Sequence, residues 1–129
     1  MIYTIKVLGF NPDIEEEILV EVNGISIQGF MPFGADQSVQ VGEEFPVLIE
    51  LTVLDDISIT EIPEGIKGIE RIDSSFSYMI RGKFNANEET VDVGIKFKVD
   101  RDYLDGYWYL DGKYIEFKVD RISIKFLED

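Results

Sequence analysis

The stretch from Ile18 to Phe30, ILVEVNGISIQGF, is the one whose reading decides the fold. Apolar residues alternate along both arms, with Asn23-Gly24 between them. A tight hairpin needs two central residues at positive φ, and Asn-Gly is the pair that adopts this at least cost. With that turn Val22 lies opposite Ile25, Val20 opposite Ile27 and Ile18 opposite Gly29, so the apolar partners share one face. A single long strand with a bulge at Gly24 would shift the apolar parity there too. Pattern and register together favour the hairpin.

The same period of two runs outward in both directions. Tyr3, Ile5 and Val7 share a face until Asn11-Pro12-Asp13 breaks the strand. Met31-Pro32-Phe33-Gly34 reads as a loop and Val41-Gly42 as a turn. Phe45, Val47, Ile49, Leu51 and Val53 alternate up to Asp55-Asp56, and a shorter strand over 57–62 ends at Pro63-Glu64-Gly65. Residues 66–72, with Ile66, Ile69 and Ile72 three apart, are the helical candidate: one short turn, or a loop over the core. Phe76, Tyr78, Ile80 and Phe84 alternate again, and 85–89 is a polar loop. Val91, Val93, Ile95, Phe97 and Val99 predict one long strand. Asp111-Gly112 predicts a second tight hairpin. Ile115, Phe117 and Val119 then fall on one parity, and Ile122, Ile124 and Phe126 on the other. A bend near Asp120-Arg121 is expected to turn both trios inward.

Composition agrees. Among 129 residues there are 18 Ile and 11 Val against 8 Leu and 2 Ala. Branched side chains lose rotamer freedom in a helix and pack well on a pleated sheet. The length suits a single all-β domain, residues 1–129, with its own core. About eight to ten strands, short turns and no crossover helices predict an all-β antiparallel sandwich or small barrel. The expected bends favour the barrel, because curvature is what closure requires. The long bent strands and the Val41-Gly42 turn resemble the oligonucleotide-binding (OB-like) barrels at the level of fold. The basic, aromatic-studded groove with which such barrels hold nucleic acid is not evident in this sequence.

Charge is unevenly spread. The net charge is -14, and between Val7 and Ile66 there is no Lys or Arg but there are 13 acids, among them Glu15, Glu16, Glu17, Asp36, Glu43, Glu44, Asp55 and Asp56. From Lys67 onward 11 bases meet 13 acids. An acidic field repels phosphates and anionic headgroups and draws in cationic surfaces over roughly 8–10 Å at physiological salt. Nucleic acid is therefore not an expected partner, since it would gain no counterion release there. A basic protein is. The bland alternative is that the acids simply keep the domain soluble.

Several chemistries drop out. With no His and no Cys, imidazole and thiol catalysis, disulfides and thiolate or imidazole metal sites are all absent. Asp100, Asp102 and Asp105 before Gly106 faintly resemble a calcium loop, but Leu104 stands where a ligand is wanted and Asp111 replaces the closing glutamate. Ser74, Ser75 and Ser77 have no base to activate them, and no phosphate-cradling glycine pattern occurs. An enzyme is not expected, and no cofactor. No apolar run approaches the roughly 18 residues of a membrane span and no leader opens the chain, so the cytoplasm is the expected compartment.

Two local features remain. IKFKVDR at 95–101 recurs as IEFKVDR at 115–121, and YLDG occurs at 103–106 and 109–112. Two copies are too few for a solenoid, so the longer repeat reads as two similar strands, each ending in a local Asp-Arg contact. Five of the seven Tyr and Trp residues lie between Tyr103 and Tyr114. The predicted Asp111-Gly112 hairpin sends Trp108 to the core and lines up Tyr107, Tyr109 and Tyr114 as an outer ladder. That ladder would stabilise the hairpin or serve as an interface, with carbohydrate stacking as a third use. Phe30, Met31, Pro32 and Phe33 are expected to plug the barrel end, the alternative being an exposed contact patch.

The functional expectation is a non-enzymatic acidic domain that binds a basic protein, an immunity- or inhibitor-type neutralising partner being its sharpest form. Glu15, Glu16, Glu17, Glu43, Glu44, Asp55 and Asp56 would steer the encounter, and Tyr107, Tyr109 and Tyr114 would supply affinity. The alternatives are an accessory domain that self-associates as a homodimer, and an OB-like barrel for nucleic acid or a small ligand.

Overall fold

A computed structural model describes residues 2–34 and 38–127. The chain divides into two compact units, Met1–Ile49 with Ile122–Asp129, and Glu50–Arg121.

The first unit carries a closed barrel. Its strands are β1 (Ile2–Asn11), β2 (Ile14–Val22), β3 (Ile25–Phe30), β4 (Glu44–Thr52) and β11 (Arg121–Phe126). Around the barrel the order is β1-β2-β3-β11-β4, and β4 returns to β1. The β2–β3 hairpin has the predicted register: Val22 opposite Ile25, Val20 opposite Ile27, Ile18 opposite Gly29. Asn23 at φ 47° and Gly24 at φ 82° supply its turn. β11 runs parallel to β3, with Ser123 level with Phe30. Ile5, Val7, Ile18, Val20, Ile27, Val47 and Ile122 fill the interior, each fully buried. The 30–33 segment divides its roles. Met31 is buried as a plug would be, whereas Phe33 is 86% exposed.

The second unit is built on a sheet of order β5-β10-β7-β8-β9, with β6 also paired to β7. These are β5 (Thr60–Glu61), β6 (Gly68–Arg71), β7 (Tyr78–Asn85), β8 (Thr90–Asp92), β9 (Lys96–Lys98) and β10 (Tyr114–Val119). Tyr78, Ile80 and Phe84 of β7 and Ile115, Phe117 and Val119 of β10 point to the same buried side. Burying such a side chain stabilises the fold by about 1.5–3 kcal/mol. The mostly-β, barrel-containing architecture is the fold class that the sequence predicts.

Particular elements differ from expectation. Residues 66–72 form no helical turn. Gly68–Arg71 is a strand paired with β7, Ile69 opposite Ile80. The i, i+3 spacing of isoleucines is outweighed there by cross-strand pairing. The helical turns lie elsewhere, as two 3-10 turns at Arg101–Leu104 and Trp108–Leu110. The long strand predicted over 91–99 is a hairpin of β8 and β9, with Val91 opposite Phe97 and Asp92 opposite Lys96. Of the 57–62 strand only Thr60–Glu61 is regular. Among the described residues, no helix is long and apolar enough to cross a membrane.

Candidate functional site

The three consecutive glutamates of β2 sit where strand pairing is interrupted. From Gly9 opposite Leu19 and Phe10 opposite Ile18, the β1–β2 register jumps to Asn11 opposite Ile14. Glu15, Glu16 and Glu17 are the surplus residues of that irregularity. Such bulges bend a strand and re-aim its side chains. Glu15 and Glu16 are exposed. Glu17 is turned under, only 6% exposed, and its Oε2 accepts a 2.6 Å hydrogen bond from Asn11 Nδ2. A buried carboxylate needs such a donor, since losing water without replacement is costly. Asn11 also accepts from the Asp13 backbone N–H at 2.9 Å, closing the β1–β2 turn.

Glu17 lines a shallow groove with Gly9, Phe10, Asn11, Pro12, Leu19 and Gln28. Its floor is a row across three strands: Gly9 pairs with Leu19, and Leu19 with Gln28. Leu19 has the parity opposite to buried Ile18 and Val20, which places the row on the outer face of the barrel. The groove holds about 270 Å³. That is below the range of a pocket for a drug-sized ligand, about 300–1,000 Å³, and suits a single side chain. Phe10, Pro12 and Leu19 give it apolar walls, while Glu17 and Gln28 give it acceptors.

Charge around the groove is one-sided. Among the described residues the barrel unit holds seven acids against two bases, Lys6 and Lys125. Lys6 lies directly opposite Glu21 on one side and Glu44 on the other, all three exposed. Glu43 precedes Glu44 and is exposed too. Asp36, from the acid-only stretch, lies outside the described residues.

Asp55 and Asp56 belong to the second unit, exposed after β4. In that unit Lys67, Arg81, Lys96, Lys98 and Arg101 pair with acids. Arg81 Nε is 2.5 Å from Glu116 and its Nη1 3.1 Å from Glu70, and both contacts raise its pKa further. Glu88 pairs with Lys96, and Glu89 with Arg101 at 2.7 Å and Lys98 at 3.0 Å. The Lys96 hydrogen bond holds the Glu88 carboxyl below the ordinary carboxylate range, and Arg101 followed by Lys98 does so for Glu89. Arg101 thus pairs with Glu89 and not with neighbouring Asp100, which accepts from the Asp102 backbone N–H instead. In the second copy of the repeat, Asp120 accepts from the Leu54 backbone N–H at 2.7 Å.

The tyrosine ladder does not form, because residues 108–110 make a 3-10 turn and β10 pairs instead with β7 on one side and β5 on the other. Tyr114, half-buried, lies opposite Lys83. The Tyr107 hydroxyl donates to the Ile57 carbonyl at 3.2 Å. Trp108 is not in the core but 38% exposed, and Tyr109 is 74% exposed. Among the described residues no three carboxylates gather closely enough to hold a metal ion.

The sequence points to Glu17 as a site residue but not to Asn11, Phe10, Leu19 or Gln28. The only signal for them was the Asn-Pro-Asp turn, because the groove comes from a register shift and not from a motif. A family model described as "Uncharacterised conserved protein UCP019853" matches residues 1–127. No curated protein and no solved structure matches the chain.

Proposed function

The chain belongs to the family of uncharacterised conserved proteins UCP019853, and we propose that it is a non-enzymatic, cytoplasmic protein-binding domain whose acidic groove takes a basic side chain of a protein partner. The observation that carries this reading is Glu17, a carboxylate held at 6% exposure in an apolar-walled groove by Asn11. A guanidinium or ammonium group entering there would meet its counter-charge in a partly desolvated setting, where charge-assisted hydrogen bonds are strongest. Phe10 and Leu19 would cover the aliphatic stem of the same side chain. Glu15, Glu16, Glu21 and Glu44 would add steering at long range.

The strand order supports a finer reading as an OB-like barrel. Its first three strands are sequential, the last-entering strand pairs in parallel with β3, and β4 closes onto β1. OB-type barrels present ligands on the face of strands 2 and 3. Here that face carries Glu17, Leu19, Glu21 and Gln28 in place of cations, which favours a cationic protein over nucleic acid. A neutralising, inhibitor-type role toward a basic protein is the sharpest form of the proposal.

The test is a titration of isotope-labelled protein with an arginine-rich peptide, followed by backbone amide shifts. Saturable shifts centred on Gly9, Leu19 and Gln28, abolished by Glu17→Gln and weakened by salt, are expected. Shifts spread evenly over every acidic residue, or unchanged in Glu17→Gln, would overturn the groove as the site.

A further inference from the structure

The short repeat YLDG is a repeat of structure. Residues 102–107 and 108–113 follow the same path twice. Each copy has a 3-10 turn ending on a buried leucine, Leu104 or Leu110. Each then makes a turn in which the Tyr107 N–H donates to the Leu104 carbonyl, and the Lys113 N–H to the Leu110 carbonyl, both at 2.9 Å. Asp105 (φ -58°, ψ 125°) precedes Gly106 (φ 85°), and Asp111 (φ -51°, ψ 130°) precedes Gly112 (φ 79°). These are type II turns, with glycine where φ must be positive.

The copies differ in what they present. Tyr103 is half-buried, its hydroxyl accepting from the Val53 N–H at 3.2 Å and 3.3 Å from the Val53 carbonyl. Its counterpart Tyr109 is exposed and, among the described residues, makes no hydrogen bond. Trp108 stands where the first copy has Asp102. Between the copies lies an open depression lined by Arg101, Asp102, Asp105 and Trp108. An indole partly open to solvent is worth a ligand's contact, because it offers a large rigid face at low entropic cost.

We infer that this depression, between the two turn repeats, is a binding site for a neutral saccharide. A pyranose ring has an apolar face of C–H groups, which fits the Trp108 ring, and a rim of hydroxyls that both donate and accept. Asp102 and Asp105 supply acceptors to that rim, and Arg101 supplies donors in a planar fork. Two of the four residues are held in advance. Arg101 is anchored through Nε to Glu89 while its side chain stays 78% exposed, and Asp100 ties down the Asp102 backbone. A phosphate would face two carboxylates, and a bare ammonium group would face Arg101. The mixed set suits an uncharged polyol better than either. An open depression suits one unit of a longer glycan rather than an enclosed small molecule.

Trp108 is the sole tryptophan, so intrinsic fluorescence reports on this site alone among indoles. The probes are short oligosaccharides of glucose, mannose, galactose and N-acetylglucosamine, with hexalysine as the cationic competitor. At least one sugar series is expected to shift the emission saturably. Affinity should fall by about tenfold or more in Asp102→Ala and in Asp105→Ala, with circular dichroism unchanged, and stay level in Glu64→Gln, an exposed acid away from the depression's lining. No saturable change across the sugar panel would overturn the proposal. So would a response to hexalysine that the sugars do not give, which would mark the site as a cation or protein contact.

Discussion

Asn11 and Glu17 are joined by a 2.6 Å hydrogen bond that spans the irregular end of the β1–β2 pairing. The same carboxamide accepts from the Asp13 N–H, so one side chain both closes the turn and sets the orientation of the groove's carboxylate. Turn chemistry and candidate binding chemistry are thereby coupled through a single residue.

Replacing Asn11 tests that coupling. Asn11→Ala removes a donor to a charged, nearly buried acceptor and is expected to cost about 1–3 kcal/mol of stability at neutral pH. Asn11→Asp keeps the acceptor for Asp13 but sets a second carboxylate against Glu17. It also removes the donor, so Asn11→Asp should cost at least as much as Asn11→Ala. Urea midpoints of the two variants against the parent check both. An Asn11→Asp protein as stable as the parent would contradict the arrangement.

Lys6 between Glu21 and Glu44 gives a second test. Lys6→Glu turns two favourable cross-strand neighbours into two repulsions, each pair worth about 0.2–1 kcal/mol. The residues are exposed, so salt should screen most of the effect. A loss of about 1 kcal/mol at low salt, shrinking to less than half of that in concentrated salt, is the expected result of chemical denaturation. A penalty indifferent to salt would show that Lys6 acts through packing of its stem.

Parity explains what was legible in the fold. At Asn23-Gly24 the paired residue numbers sum to an odd value, so the buried positions change parity across the turn and announce it. In the β8–β9 hairpin Val91 pairs with Phe97, an even sum. Val91, Val93, Ile95, Phe97 and Val99 stay buried on one parity straight through the reversal. Nothing in the alternation could reveal it. The cue that remained was local: Asp92 before Gly94, whose N–H donates to the Asp92 carboxylate.

The site was less legible because it depends on register and on which of two local structures wins. The Glu15–Glu17 run was visible, but its displacement from the β1 ladder, which buries Glu17 and leaves its neighbours exposed, is a tertiary event. The Asp111-Gly112 dipeptide alone predicts a hairpin turn. The chain there makes a type II turn closed by Lys113 and Leu110, so Trp108 and Tyr109 face solvent instead of a partner strand.

Asp92 carries a pH dependence of known sign. The Gly94 N–H at 2.9 Å, and behind it the Lys67 charge at 3.5 Å, hold its carboxyl below the ordinary range near pH 4. A depressed folded-state pKa means stability that is complete above the unfolded value and lost as pH falls through the folded one. Asp92→Asn keeps an acceptor for Gly94 but no charge. Urea midpoints of the two proteins should therefore differ at neutral pH and converge in strong acid. Concentrated salt should remove the Lys67 share and spare the hydrogen bond. A gap that persists unchanged into strong acid would rule out the carboxylate as its source.

The last prediction concerns how closely β7 and β8 approach. A Cβ placed on Gly82 would overlap the backbone carbonyl of Asp92, whereas one placed on Gly9 would meet nothing within 4 Å. Backbone cannot swing aside as a side chain can, so Gly82→Ala forces strand separation at the centre of the second sheet. Overpacking of that kind costs about 1–3 kcal/mol, and here the upper end is expected, since Gly82 also faces Ile115 of β10. Gly9→Ala should leave stability within about 0.5 kcal/mol, as open surface substitutions do. It also narrows the floor of the groove beside Leu19, so the arginine-rich peptide should bind it more weakly at unchanged stability. Thermal midpoints paired with the peptide titration separate the two outcomes. A Gly9→Ala protein that binds normally would move the peptide contact away from the β1–β2 face.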